Sequence, residues 1–271
     1  MDETQACLTR CGLRRGRLRR MGVLIAFVTL ISGCAAQQTA GQSAGLPDEE
    51  LADPLEPLNR AIFDLNLFLD RLILRPVSEV YRNILPQEVR ESVRSFTRNL
   101  RTPIVLINDV LQGEDQRAQT TATRFLINTT IGVGGLVDVA KDMGHPYHAE
   151  DFGQTLGVHG AGPGFYLILP ILGPSTLRDT VGSVVDIFFD PLTYVGAAYD
   201  IEALQIGLRG LSTVDLRSRN IEILDELERE ALDFYALIRS VYQQRRDYDI
   251  RNERPREGSS TPTRSPALQF P

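Results

Sequence analysis

The sequence is poor in the residues and motifs that most enzymes and nucleotide-binding proteins carry. Its 271 residues include no Trp, three Met, three His and one Lys, Lys141. That lysine follows no Gly-rich phosphate-binding pattern, so there is no P-loop. No G-x-S-x-G elbow occurs, and Gly173-Pro174-Ser175 does not fit one. The glycines at 160, 162 and 164 lack the strand-then-helix setting of a dinucleotide site and read as a tight loop. There is no HExxH, and His145 and His148 have only His159 as a further histidine, so no metal and no cofactor is assigned. Asp151, Asp179 and Asp186 could pair as carboxylates, as acids in any helical protein can. These absences argue against catalysis. Nor is there an unbroken apolar run of about 20 residues in the folded part, which excludes an ordinary spanning helix there.

What is present begins with a sorting signal. Residues 14–20 read RRGRLRR, an apolar run covers 23–31, and Ser32, Gly33 and Cys34 follow. A basic stretch, a short apolar stretch and small residues describe a secretory signal peptide, provided translation starts at Met1 rather than Met21. Ile31-Ser32-Gly33-Cys34 resembles a bacterial lipobox. That implies cleavage between Gly33 and Cys34, diacylglyceryl transfer to the Cys34 sulfur, and acylation of the new amino terminus. Each buried CH₂ contributes about 0.8 kcal/mol, so two or three acyl chains hold where one does not. Ala35, rather than Asp, follows the cysteine; by analogy with enterobacterial lipoproteins this favours the outer membrane. Losing residues 1–33 removes Cys7 and Cys11, so no disulfide can form. It also leaves 23 basic and 33 acidic residues, a net charge of −10. An acidic body excludes nucleic acid as a natural partner and is repelled by anionic lipid. Acyl anchoring and apolar burial must then drive membrane association.

Along the mature chain, residues 34–52 read as a flexible acylated tether. Asp53-Pro54-Leu55-Glu56 opens a helix. Residues 58–74 are apolar on more than one face, which fits a helix lying in a membrane interface or one buried in a core. Arg75-Pro76 is expected to end it, with a short helix at 77–83. Pro86 starts another, with Val89, Val93, Phe96 and Leu100 in one stripe. Pro103 is expected to begin a separate helix at 104–111, closed by Gly113. Further helices are expected at 117–130 and, after Gly132, Gly134 and Gly135, at 136–140. Residues 152–177 contain no Asp, Glu, Lys or Arg, yet Gly153, Gly157, Gly160, Gly162, Pro163, Gly164, Pro170, Gly173 and Pro174 interrupt them. Irregular backbone of this apolarity belongs inside protein or along a cavity; a packed loop system, or a core loop with a hairpin, is expected. An apolar run at 181–198 is broken by Asp186, Asp190 and Pro191. Ser212 is expected to cap a last long helix, with Asp215 in its first turn and one apolar stripe from Ile221 to Val241. The polar stretch from residue 250 to 271 reads as disordered. The pattern is all-α, helix after helix with short connectors.

Several stretches together resemble the MlaA/VacJ family of outer-membrane lipoproteins. They are the lipobox at Cys34, Asp53-Pro54-Leu55-Glu56 with Asn59-Arg60, Arg75-Pro76-Val77, and residues 96–100 (FTRNL). Residues 123–129 (TRFLINT), 132–140 (GVGGLVDVA), 150–157 (EDFGQTLG), Leu169-Pro170, 173–179 (GPSTLRD) and 242–247 (YQQRRD) complete the set. The resemblance covers residues 34–249 and implies a ring-like helical body, residues 53–249, in the inner leaflet of the outer membrane. A central amphipathic channel would take phospholipid from the outer leaflet and pass it to a periplasmic lipid-carrier protein. Family members often sit beside trimeric porins. On that basis residues 58–74 lie in the leaflet, and 124–140 and 152–177 help form the channel wall. The candidate channel and gating residues are Asn66, Leu67, Gly132, Gly134, Gly135, Phe152, Gly153 and Gly157. A non-transporting adaptor that organises porins or other envelope partners is the alternative, and a lipid-acting enzyme using Asp151 or Ser175 a further rival.

Overall fold

The computed structural model describes residues 51–193 and 202–252. The signal peptide, Gly33, Cys34, most of the tether, part of the 181–198 run and nearly all of the tail lie outside the described residues. The helices are α1 (Glu56–Leu69), α2 (Arg75–Ile84), α3 (Gln87–Leu111), α4 (Asp115–Thr130), α5 (Val139–Asp142), α6 (Phe152–Val158), α7 (Leu177–Phe189), α8 (Glu202–Arg219), α9 (Ile221–Glu230) and α10 (Phe234–Ile250). One antiparallel hairpin, β1 (Tyr166–Leu169) and β2 (Gly173–Thr176), sits between α6 and α7. The protein is mostly helical, as its sequence pattern requires.

Two prolines that should end helices do not. α1 runs into α2 through a π-helical turn, Asp70–Leu74, in which the Arg75 N–H reaches back five residues to the Asp70 carbonyl. Pro76 has no N–H to give, and its ring would press on a carbonyl one turn back. The wider turn makes room, so the chain stays helical past the expected stop. Pro103 lies inside α3, a helix of 25 residues. The Thr102 hydroxyl beside it donates to the Arg98 carbonyl at 3.2 Å, while the acceptor that loses its N–H to the proline is the Asn99 carbonyl.

Residues 152–158 form a helix, not a loop. The Asp151 carboxylate caps it by accepting from the Gln154 N–H at 2.8 Å. Glycine costs a helix up to about 1 kcal/mol per residue, but here close packing overrides propensity. A Cβ on Gly153 would lie 2.7 Å from Asp179 Oδ1, and one on Gly182 of α7 would run into the Gly153 backbone. Ser212 caps nothing: it lies within α8 and donates to the Leu208 carbonyl at 3.0 Å. The stripe expected from Ile221 to Val241 is split at residues 231–233, where α9 stops and Asp233 caps α10 by accepting from the Ala236 N–H.

The core consists of Leu51, Phe63, Tyr166, Ile168, Tyr235, Ile238 and Tyr242. It joins α1, the hairpin and α10 through edge-on aromatic contacts, Phe63–Tyr235 at 5.5 Å and Tyr166–Tyr235 at 6.0 Å. Outside it, a series of ion pairs ties α1 and α2 to α8, α9 and the start of α10. Arg60 meets Asp233 at 2.7 Å, Arg71 meets Glu228, Arg75 meets Asp225 at 2.7 Å and Arg82 meets Glu222 at 2.5 Å. Such half-exposed pairs contribute about 0–1 kcal/mol each. The exception is Arg217, nearly buried, with Nε 2.9 Å from Asp70 Oδ1.

The outer face of α1 and α2 is apolar. Leu58, Leu65, Phe68, Leu72, Ile73, Val77, Val80 and Ile84 are all exposed, although Phe63 of the same helix is in the core. The sequence expectation of apolar character on more than one face is met. Leu126, Ile131, Val133, Leu136, Val137 and Met143 form another exposed apolar set, and Val184, Ile187 and Phe188 a third on α7. No helix among the described residues is long and apolar enough to cross a membrane.

The glycine contacts set a prediction. Gly182→Ala should lower the unfolding free energy by about 2 kcal/mol or more, because the α6 backbone cannot yield as a flexible side chain would. Gly162→Ala, which meets nothing within 4 Å, should leave it unchanged. Thermal unfolding of the two variants side by side checks this.

Candidate functional site

The uncharged segment 152–177 is held by side-chain amides on α1 and α3. On α1, Asn59 and Asn66 are two helical turns apart and face the hairpin. Asn59 is buried; its Oδ1 accepts from the Ile168 N–H at 2.9 Å and its Nδ2 donates to the Tyr166 carbonyl at 3.1 Å. Asn66 repeats the arrangement at the turn, donating to the Leu169 carbonyl at 2.9 Å and accepting from the Ile171 N–H at 2.8 Å. Together with the Ala52 carbonyl, which accepts from Tyr166 N–H, they serve the edge of β1 that β2 does not pair. Leu67, next to Asn66, packs against the core. The tip they hold presents Ile171 and Leu172, 80% and 69% exposed. Ile171 adopts φ +69°, a left-handed conformation rare for a β-branched residue.

On α3, Asn108 accepts from the Thr155 hydroxyl at 2.8 Å and donates to Asp186 Oδ1 at 3.2 Å. Asp186 in turn accepts from the Phe152 N–H at the start of α6. Phe152 packs edge-on against Phe189 of α7, 5.9 Å between ring centres. Behind α6, Arg246 of α10 bridges Asp151 (Nη1–Oδ2, 2.7 Å) and Asp179 (Nη2–Oδ1, 2.9 Å), and the Tyr242 hydroxyl donates to Asp179 at 2.5 Å. Burial alone would raise the Asp151 pKa, but the Arg246 guanidinium holds it well below the usual carboxylate range. Burial likewise opposes, and Arg246 outweighs it, at Asp179. Both acids are ionised partners in a structural knot. Asp151 therefore has a positioning role for Gly153 and Gly157, which it brings against α7 and α10; Gly157 faces Ile250.

Gly132, Gly134 and Gly135 sit in a separate turn on α3. A Cβ on Gly135 would lie 2.5 Å from Asn99 Cβ. Asn99 Nδ2 donates to Thr129 Oγ1 at 3.0 Å and to the Gly134 carbonyl at 3.4 Å. Gly134 and Gly135 have φ +70° and +95°, which only glycine adopts freely. Asn128 closes the turn by donating to Asp138 and accepting from the Ala140 N–H. Of the residues proposed from sequence, Asn66, Leu67, Phe152, Gly153 and Gly157 converge on the 152–177 segment. Gly132, Gly134 and Gly135 join the same scaffold nine residues along α3. Asn59, Asn99 and Asn108 were missed. Their signal was available: asparagine is a poor interior helix residue, yet it recurs inside α1, α3 and α4, where its amide can donate and accept at once.

One group near α6 has metal-ligand composition. Asp109, His148 and Glu150 have ligand atoms within 4.8 Å of one another, the only such group among the described residues. Of the two loop histidines considered from sequence, this is His148; His145 is not in the group. Arg117 already supplies a cation, with Nη2 2.5 Å from Glu150 Oε1 and Nε 3.9 Å from Asp109 Oδ1. His148 Nε2 lies 3.0 Å from Asp109 Oδ1. The donor set is that of a closed ion-pair network around Arg117 and fits a resident metal poorly. Burial pushes the Glu150 carboxyl up to about 7 against the pull of Gln112 and Arg117.

The fold and its surfaces define a class: a mainly helical protein that turns apolar stripes outward and staples uncharged, irregular segments to its helices. The chain belongs to the MlaA lipoprotein family, whose model matches residues 51–249. It is 35% identical to the intermembrane phospholipid transport system lipoprotein MlaA of Escherichia coli K12, over 84% of this chain and 88% of that protein. It is 31% identical to the Haemophilus influenzae protein of the same name, over 84% and 90%, and 37% identical to an uncharacterized Rickettsia felis protein, over 74% and 79%. A solved structure concerned with the structural basis for maintenance of bacterial outer membrane lipid asymmetry superposes with TM-score 0.67. It is 34% identical and covers 73% of this chain and 99% of that one.

Two predictions follow from the site. Asn59→Leu leaves the buried Ile168 N–H and Tyr166 carbonyl without that partner and should cost about 3 kcal/mol. Asn66→Leu, nearer the surface, should cost less but speed hydrogen exchange at the Ile171 amide, read by mass spectrometry or NMR. For Glu150, the folded pKa lies above the unfolded one, so its contribution to stability is fully present below about 4.5 and lost as pH rises through about 7. Glu150→Gln should flatten the stability–pH profile in that window. Asp151 acts in the opposite sense and lower: its contribution is present above about 4 and lost as pH falls further.

Proposed function

We propose that this protein is the outer-membrane lipoprotein of a phospholipid transport system. In this reading it removes phospholipid that has strayed into the outer leaflet and passes it to a periplasmic carrier, and so maintains lipid asymmetry. The observation that carries the reading is the likeness, over most of both chains, to lipoproteins named for intermembrane phospholipid transport. The surfaces support it independently. The eight exposed apolar side chains from Leu58 to Ile84 span about 40 Å of helix at 1.5 Å per residue. Burying the rest of each in lipid gives on the order of 10 kcal/mol together. That is enough to seat the body in a leaflet without a spanning helix. Acyl chains on Cys34 then restrict the choice of membrane and keep the body from leaving it. Residues 124–140 and 152–177 serve as channel wall in this reading, with Asn66 setting the position of the hairpin tip. The protein's part is binding and passage, with no covalent step. Trimeric porins are neighbours it would share the membrane with.

The reading is tested in a deletion strain, with an outer-leaflet-specific phospholipase or acyltransferase reporting surface phospholipid. Phospholipid should accumulate in the deletion, fall to normal with the wild-type gene, and stay high with Cys34→Ala. Unchanged asymmetry in the deletion would sink the transport reading in favour of an adaptor that organises envelope partners.

A further inference from the structure

We infer that Arg90, Arg94 and Arg98, which follow one another at one-turn spacing on α3 beside the buried carboxylate of Asp215, form a recognition site for the phosphate group of a phospholipid. The inference rests on the phospholipid reading above and adds to it a defined headgroup contact. Asp215 of α8 is buried. Arg94 of α3 grips it with Nε at 3.0 Å from Oδ2 and Nη2 at 3.3 Å from Oδ1. Arg219, one turn further along α8, has Nε 3.3 Å from the same Oδ2. The Tyr81 hydroxyl of α2 donates to Oδ1 at 3.4 Å. Two guanidiniums thus share one carboxylate oxygen.

Arg90 and Arg98 lie one turn before and one turn after Arg94, on the same side of α3. Neither has a carboxylate within ion-pairing distance among the described residues. The Arg90 Nε is buried with no hydrogen-bond partner there. The Arg98 guanidinium lies 4.3 Å over the Tyr147 ring, and the acid nearest it in effect, Asp138, is already held by both oxygens on Arg124. Arg90, Arg94 and Arg98 therefore have one ion-paired carboxylate, Asp215, between them among the described residues, in a chain whose net charge is −6. The crowding is felt: burial first, and then the neighbouring Arg94, depress the pKa of both Arg98 and Arg219.

An anion with several acceptor oxygens relieves that repulsion. A phosphodiester offers such oxygens to arginine forks, bidentately and without being protonated near neutral pH. The surroundings suit a lipid headgroup better than a free ion. Ile84, three residues from Tyr81, and Val89, beside Arg90, are exposed and offer apolar surface to acyl chains next to the charges.

The test uses the full chain in detergent solution, titrated calorimetrically with dihexanoyl phosphatidylglycerol, with dihexanoylglycerol, which has the same chains and no phosphate, and with inorganic phosphate. Arg98→Gln and Arg90→Gln are compared with wild type, with thermal unfolding as the check on folding. The expected result is a phospholipid affinity at least tenfold weaker in each variant, unchanged binding of dihexanoylglycerol, and weak competition by inorganic phosphate. Should Arg98→Gln unfold, Arg98→Lys keeps the charge but loses the planar fork and should still weaken phospholipid binding severalfold. Folded variants that bind phospholipid as wild type does would overturn the site while leaving the transport reading intact. Phosphate binding that is tight, lost in the variants and unable to compete with lipid would identify a free-phosphate site and overturn the lipid assignment. Wild-type protein that binds no phospholipid would overturn the site together with the reading it rests on.

Discussion

Backbone that is neither helix nor paired strand needs partners for every N–H and C=O it buries, and in this protein helix-borne asparagines supply them. Asn59 and Asn66 serve the free edge of β1 and the hairpin turn; Asn108 serves Thr155 and, through Asp186, the start of α6; Asn99 and Asn128 serve the glycine turn. An amide is the one neutral side chain that donates and accepts from adjacent atoms, so a single residue can stand in for a strand neighbour. The alternative partners, charged groups or water, are costly beside lipid. The uncharged stretch 152–177 can therefore be apolar and still hold its shape.

Charge is handled by segregation. Buried and partly buried acids are matched to arginines in closed knots: Asp151 and Asp179 with Arg246, Glu150 and Asp109 with Arg117, Asp138 with Arg124. The exposed pairs between α1–α2 and α9 add little stability singly, but their order, Arg60 to Asp233 through Arg82 to Glu222, fixes which part of one faces which part of the other. The arginines around Asp215 break this pattern, and the imbalance there is what marks them out.

Much of the fold was legible in the sequence. The helical succession and the apolar character of residues 58–74 on more than one face follow from hydrophobic spacing; of the uncharged stretch 152–177 only parts of α6 and of the hairpin strands are buried, and residues 158–164 and 170–172 are exposed. What was misread has a common physical cause. Pro76 and Pro103 look like terminators because local sterics say so, but a π-turn accommodates the first, and the long α3, packed on α4 and α8, carries the second. Gly153 and Gly157 look like loop residues because their propensity is poor, but Gly182 and Arg246, far along the chain, need the space they leave. Ser212 looks like a cap because serine so often is one. In each case the deciding partner lies far away in sequence or in a backbone adjustment that no side chain announces. Of the candidate residues, Asn66 and the glycines were proposed through family resemblance; Asn59, Asn99 and Asn108 were passed over, although asparagine inside a helix marks them.

The π-turn at Asp70–Leu74 carries a consequence for register. Up to its middle, the exposed residues fall at 58, 65, 68 and 72; from there on, at 73, 77, 80 and 84. Each half keeps helical spacing, but the two are out of step by one position. In an unbroken α-helix that slip would turn the second half about 100° away from the first. The wide turn takes up one surplus residue, so both halves face the same way. The turn acts as a frame-shift corrector written in backbone geometry. Evolution can carry the extra residue there without rotating the apolar face away from whatever it lies against.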